Sequence, residues 1–140
     1  MRQAQHEFRI PSRGPGLYEF TSQVESWVQS SGIREGLLTL FCRHTSASLL
    51  IQENADPDVQ TDLLRYFERL APEDPHAYVH TIEGLDDMPA HLKTALTQVQ
   101  LSIPVRGGRP VLGTWQGIYL FEHRRGPHVR SVAAHLIGEP

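Results

Sequence analysis

"LSIPVRGGRPVLGTWQGIYLFEHRRGPHVRSVAAHLIG", residues 101–138, holds three β-rich runs broken by Gly107–Gly108 and Gly126–Pro127. The runs "LSIPV" (101–105), "RPVLGTWQGIYLFEHR" (109–124) and "VRSVAAHLIG" (129–138) read as successive strands with only turn signals between them. Upstream, "HEFRI" (6–10) is predicted as a strand ended by Pro11, and "SRGPG" (12–16) as a turn-rich loop. Phe20, Val24, Trp27 and Val28 recur at helical spacing, which predicts a helix over 20–30 closed by Gly32. "GLLTLFCRH" (36–44) reads as a buried strand, and "SASLLIQE" (46–53) as its hairpin or bulged continuation. In "NADPDVQTDLLRYFERL" (54–70), Asp56 suits an N-cap, Pro57 the first helical position and Asp58 the positive end of the helix dipole. Val59, Leu63, Phe67 and Leu70 share one face of that helix. "AYVHTI" (77–82) reads as a short strand. A third helix follows, capped by Asp86 or Asp87, with Leu92, Ala95, Leu96 and Val99 facing inward. Strands in clusters with three interspersed helices, and no regular βαβ alternation, predict an α+β fold with a largely antiparallel sheet or sandwich. Residues 1–140 show no linker or repeat and read as one domain.

Composition narrows the function classes. The 140 residues are 39% hydrophobic and 21% charged, ordinary for a globular chain. A net charge of -3 gives no basic field, which argues against nucleic acid as a partner. No run approaches a membrane span, and "MRQAQHEFRI" lacks a secretory apolar core, so a cytoplasmic location is expected. The one cysteine, Cys42, excludes a disulfide framework and reads as a buried core residue. Eight histidines make imidazole the conspicuous chemistry.

Three clusters carry it. "YVHTIEGLDDMPAHLK" (78–93) sets His80 before a turn and His91 in the first turns of a helix begun by Asp86 and Asp87. The positive end of the helix dipole keeps His91 neutral, the form that ligates metal, and a nearby Asp can fix its tautomer. "RHTSASLLIQENADPD" (43–58) offers His44, the hydroxyls of Thr45, Ser46 and Ser48, and Glu53 with Asn54 just before a helix. Glu53 shows no capping role and is a candidate for chemistry. In "GTWQGIYLFEHRR" (113–125), Trp115, Gly117, Tyr119, Phe121 and His123 point to one side of a strand. Thr114, Gln116, Ile118, Leu120 and Glu122 point to the other. Glu122, His123 and Arg124 at the strand end are a candidate ligand or acid/base group. His6, His76 and His128 read as bystanders, and His135 as satisfied within the sheet or at an interface.

"HTSASLLIQENADPDVQTDL" (44–63), "HTIEGLDDMPAHLKTAL" (80–96) and "IPVRGGRPVLGTWQGIYLFEHR" (103–124) together resemble the YjbQ family, over residues 32 to 138 in unbroken order. The resemblance implies a homotrimer with a His-rich pocket near the subunit boundary. Its motif histidines fall on His44, His80, His91 and His123, and its motif acids on Glu53, Asp86, Asp87 and Glu122. It also implies a thiamine-phosphate synthase-like transfer, joining a pyrimidine diphosphate to a thiazole phosphate with loss of diphosphate. Such chemistry favours Mg²⁺ and oxygen ligands, whereas imidazoles favour Zn²⁺.

The expectation is therefore a trimeric cytosolic metal enzyme acting on a small phosphorylated metabolite, with Zn preferred to Mg. His44, His80 and His91 are the expected ligands. Glu53 is the expected base, with His123 and Glu122 as further catalytic candidates. Thr45, Ser46, Asn54, Asp86, Asp87, Thr114, Gln116 and Arg124 are the expected ligand-binding residues. A metal-dependent hydrolase and a non-catalytic metal or phospho-ligand binding protein are the alternatives.

Overall fold

The computed structural model describes residues 1–140. It contains the strands β1 (Arg2–Ser12), β2 (Gly16–Glu19), β3 (Glu35–Cys42), β4 (Ala47–Glu53), β5 (Gln100–Arg106), β6 (Arg109–Pro110), β7 (Gln116–Glu122) and β8 (His128–Glu139). The helices are α1 (Thr21–Ser31), α2 (Pro57–Leu70) and α3 (Asp87–Leu96). Five strands form one sheet in the order β1-β8-β3-β5-β6 and three form another, β2-β7-β4, every pairing being antiparallel. This is the α+β antiparallel sandwich expected from the strand clusters.

Period-2 alternation decides which side chains enter the layer between the sheets. Leu38 and Leu40 of β3, Leu101, Ile103 and Val105 of β5, and Val132, Ala134 and Leu136 of β8 point in from the larger sheet. Ala47, Leu49, Ile118 and Leu120 meet them from the smaller one. Val24 and Val28 of α1 add to the same core, and Gly32 ends that helix at φ 76°, a left-handed value that suits a residue without Cβ. Asp56 caps α2 as its sequence implies, accepting the Asp58 N–H at 2.9 Å. The Val59–Leu63–Phe67 stripe is half-buried against the outer face of the smaller sheet, where Phe67 meets Phe121 edge-on at 5.3 Å.

Several expectations need correction. β1 runs through Pro11, which pairs with Val129; as an edge strand it tolerates a residue with no N–H. β4 does not continue β3: the chain leaves the larger sheet after Cys42 and joins the smaller one at Ala47. The "AYVHTI" strand does not form, and residues 77–82 are turns and bends with Val79 fully exposed. Short apolar spacing there mimicked a strand, but the segment pairs with no sheet and its apolar side chains Val79 and Ile82 stay exposed. The inner face of α3 is Asp87, Pro89 and Ala90; Leu96 is exposed, and Val99 lies beyond the helix. No helix is long and apolar enough to cross a membrane, which says nothing of a β-barrel.

The difference between a core strand and the 77–82 turn is measurable by urea unfolding. Leu120→Ala is expected to lose about 2–5 kcal/mol of stability, because Leu120 is fully buried between the sheets. Val79→Ser is expected to change it by less than about 0.5 kcal/mol; a large loss would mean that residues 77–82 pack against something.

A candidate metal centre

Asp87 is the first residue of α3 and is 2% exposed. Two imidazoles converge on one of its oxygens. His80 Nε2 lies 2.7 Å from Asp87 Oδ2, and His91 Nε2 lies 3.0 Å from the same atom. The i,i+4 spacing of a helix puts His91 directly above Asp87. His80 arrives from the irregular segment that replaces the expected strand. Arg124 completes the surround, with Nη1 2.9 Å from Asp87 Oδ1. Burial works against ionising Asp87, but the His80 hydrogen bond, His91 and Arg124 outweigh it and hold the carboxyl below its ordinary range. The three candidate donor atoms, one each from His80, Asp87 and His91, all lie within 4.8 Å of one another.

Proton placement sets what His91 can offer. His91 Nδ1 is 2.9 Å from the carbonyl oxygen of Thr45, which can only accept, so Nδ1 carries a proton. In the neutral ring Nε2 then presents a bare lone pair to a carboxylate oxygen. Two lone pairs at this distance repel unless a positive charge sits at that point, either a proton on Nε2 or a metal ion. A metal bound at ~2.0–2.1 Å would hold adjacent tetrahedral ligands roughly 3.3 Å apart, so the rings, now 2.7 Å and 3.0 Å from Asp87 Oδ2, would each draw back by a few tenths of an ångström to admit one. The Thr45 carbonyl fixes the His91 ring, as an outer partner does for a histidine that ligates metal.

Asp86 occupies the N-cap position of α3 but makes no side-chain cap. Its Oδ2 instead accepts Arg124 Nε at 2.9 Å and the Arg125 N–H at 2.9 Å. Burial opposes ionisation here too, and the Arg124 hydrogen bond overcomes it to lower the pKa. Arg124 thus bridges Asp86 and Asp87 and holds the helix start against the end of β7.

Not every expected ligand joins. His44 lies outside the cluster, and its Nε2 is taken by the Ser131 N–H at 2.7 Å. Burial, then Arg130, lowers its pKa, so the ring is neutral with its proton on Nδ1. It lines, with His91, an open groove of about 760 Å³ whose other walls include Phe41, Thr45 and Thr97. Glu122 is fully buried and committed to structure. It pairs with Arg130, accepts Ser12 Oγ at 2.6 Å, and takes the His123 and Arg124 N–H groups at 3.1 Å. Burial raises its pKa, but Arg130 and Ser12 prevail and keep it ionised. Ser46 is held by the same Arg130, through its Oγ at 3.0 Å.

Glu53, Asn54, Thr114 and Gln116 lie at the far end of the smaller sheet. Glu53 pairs with Gln116, whereas Ala47, six residues back along β4, pairs with Glu122 beside the cluster. At ~3.4 Å per residue that is roughly 20 Å, beyond side-chain reach. Glu53 also turns out to have a local role, accepting the Asp56 N–H at 3.2 Å ahead of α2. His6 stacks on Trp27 and His128 lies by Gly126, both apart from the cluster, while His135 bonds Gln3 within the larger sheet.

Two contributors escaped sequence reading, Arg130 and Lys93, whereas the Ser48 hydroxyl was among the candidates. Arg130 had a signal, since it shares the inward parity of Val132, Ala134 and Leu136, where a cation demands a buried partner. Ser48 Oγ lies 2.9 Å from His123 Nε2. His123 itself is buried, not at an exposed strand end, and burial together with Lys93 pushes its pKa down to about 3.

A family profile described as "UPF0047 protein YjbQ-like" matches residues 6–139. The UPF0047 protein sll1880 of Synechocystis sp. is 54% identical over 138 residues, covering 99% of this chain and 94% of the relative. The UPF0047 protein YjbQ of Salmonella typhimurium is 50% identical, with 96% and 98% covered. Among solved structures, an uncharacterised YjbQ/UPF0047-family protein of Clostridium acetobutylicum superposes with a TM-score of 0.87 at 35% identity. It covers 94% of this chain and 99% of its own. The conserved hypothetical protein TT1486 of Thermus thermophilus gives 0.84 at 37% identity, with the same coverage.

The buried neutral His123 has a pH consequence. Below its ordinary value of 6.5 the unfolded chain binds a proton at this position that the folded chain refuses until about pH 3. Its effect on stability is therefore absent above pH 6.5 and grows as pH falls, by up to about 1.4 kcal/mol per pH unit. Urea unfolding at pH 7 and pH 5.5 should show wild type losing about 1 kcal/mol more than His123→Asn on acidification. Equal losses would mean that His123 titrates normally.

Proposed function

The chain belongs to the UPF0047 family of YjbQ-like proteins, and we propose that it is a cytosolic metal-dependent enzyme acting on a small phosphorylated metabolite. The observation that carries this reading is the aim of two Nε2 atoms at one buried carboxylate oxygen. Two imidazoles and a carboxylate favour Zn²⁺ over Mg²⁺, which prefers an oxygen shell. Three protein donors leave a position for water or a phosphoryl oxygen, the arrangement of a catalytic rather than a closed structural site. When bound, such an ion supplies Lewis-acid stabilisation of phosphoryl charge. The chain's own part is to orient His91 through Thr45 and to hold Asp87 ionised through Arg124. The groove shared by His91 and His44 receives the substrate, with the His44 Nδ1–H as a donor to a phosphoryl oxygen.

The family resemblance names the acceptor as a thiazole phosphate, in a thiamine-phosphate synthase-like transfer. The mixed nitrogen–oxygen donor set favours water, which makes hydrolysis the second reading. Glu53 serves either reaction only if another copy of the chain presents it, as a homotrimer would, because it cannot reach the cluster within one protomer. Thr114, Gln116 and Asn54 fall under the same condition.

Elemental analysis after dialysis tests the centre. We expect about one divalent ion per chain, Zn before Mg, with His91→Ala and Asp87→Asn losing it. Full retention in both variants would remove the centre. Diphosphate release from the pyrimidine diphosphate and thiazole phosphate pair identifies transfer, and phosphate release from simple phosphoesters identifies hydrolysis. Metal bound without either release would favour a binding protein.

A further inference from the structure

An ion at the Asp87 cluster has no open way in. Asp87 is almost completely buried, and the His80 and His91 rings both lie over its Oδ2. A metal site needs an entry path, so one of the groups around Asp87 has to withdraw to admit an ion. Two of the three are fixed. His91 stands in the second turn of α3, next to the buried Ala90, and its Nδ1 is tied to the Thr45 carbonyl. Arg124 is held at once by Asp86, by Asp87 and by the Glu83 carbonyl.

His80 is held differently. It sits in residues 74–82, a stretch with neither helix nor strand. Two consecutive residues pin the ends of that stretch. Arg125 pairs with Glu73, and Arg124 Nη2 donates to the Glu83 carbonyl at 3.1 Å. Between the pins, every hydrogen bond but one stays within residues 72–83. Tyr78 Oη donates to the Pro72 carbonyl at 2.8 Å, and the His76 and Ala77 N–H groups both turn back to Asp74. The exception is His80 Nε2 on Asp87. Apolar packing adds no hold, because Val79 and Ile82, on either side of His80, are almost wholly exposed. A loop pinned at both ends, and touching the body through one side chain between them, opens locally without disturbing the rest of the fold.

We propose that residues 74–82 are the gate of the metal centre, with His80 as its latch. The inference rests on reading the Asp87 cluster as a metal centre. The loop lifts His80 off Asp87 to let an ion in or out. Asp87 and His91 supply the two donors that stay in place, and His80 closes over the ion as the third. In the unloaded protein one hydrogen bond holds the loop down; in the loaded protein a coordination bond does.

Elastase, which cuts after small aliphatic residues such as Ala77, Val79 and Ile82, reads the opening, because cutting tracks the population of the open form. The full chain is digested in chelator and across a range of free Zn²⁺, with the cut sites identified by mass. Calorimetry measures zinc binding separately. Cutting within 77–82 is expected in chelator, and half of the protection is expected at the zinc dissociation constant. By linkage, saturating zinc slows the cutting by the same factor as His80→Ala weakens zinc binding, about tenfold or more in each case. His80→Ala at saturating zinc is expected to be cut as fast as the chelated wild type, which also controls for any action of zinc on the protease. The wild-type comparison needs no variant and stands even where His80→Ala fails to fold. Zinc bound with cutting unchanged would overturn the gate and leave the centre standing. Protection that survives in folded His80→Ala, or no cutting within 77–82 in chelator, would overturn it as well. No zinc binding at all would remove the centre and the gate together.

Discussion

A carboxylate taken out of water must be given positive partners, and Asp87 is where this fold meets that requirement. Three separate parts of the chain converge to do so: His80 from an irregular segment, His91 from α3 and Arg124 from just beyond β7. Removing one partner from such a buried charge typically costs about 3–5 kcal/mol. The position of α3, the path of residues 77–86 and the setting of the Thr45 carbonyl are thus all referred to one oxygen pair. The groove beside His91 exists because α3 is pinned there.

The end of β7 distributes three consecutive side chains in three directions. Glu122 turns into the layer between the sheets and meets Arg130 of β8 and Ser12 of β1, tying the smaller sheet to the larger. His123 turns the other way, into a cavity behind α3. Arg124 leaves the strand and clamps Asp86 and Asp87. Arg130 also holds Ser46, next to the carbonyl that orients His91, so the cross-sheet ion pair and the candidate metal centre share a support. A strand's alternation, which elsewhere only sorts core from surface, here separates the cross-sheet acid Glu122 from His123 on the opposite face.

Much of this was legible in residue order. The antiparallel α+β class followed from strand runs separated only by turn signals, and α2 from Asp56, Pro57 and Asp58. His80, His91, Asp86, Asp87 and Arg124 were singled out as site candidates, and the fold gathers all five. What could not be read was distance between segments. Glu53 and His91 occur in neighbouring motifs, yet a seven-residue strand carries Glu53 to the opposite end of its sheet. Glu122 looked chemical because it adjoins His123. Its actual role depends on Arg130, which lies on a strand of the other sheet. Similarly, Asp87 was read as a cap or an outer carboxylate and not as the centre of the cluster, because its i,i+4 relation to His91 matters only once His80 is folded over it.

Sequence and structural likeness place the chain within its family over nearly its full length, and the chemistry rests on the charge at the centre of the Asp87 cluster. Anomalous diffraction from crystals grown with zinc, recorded on both sides of the zinc edge, reads that charge directly. One strong peak is predicted, bounded by Nε2 of His80, Nε2 of His91 and Oδ2 of Asp87. No peak there, with both rings hydrogen-bonded straight to the carboxylate, would contradict a metal centre and leave a protonated His–Asp–His network in its place.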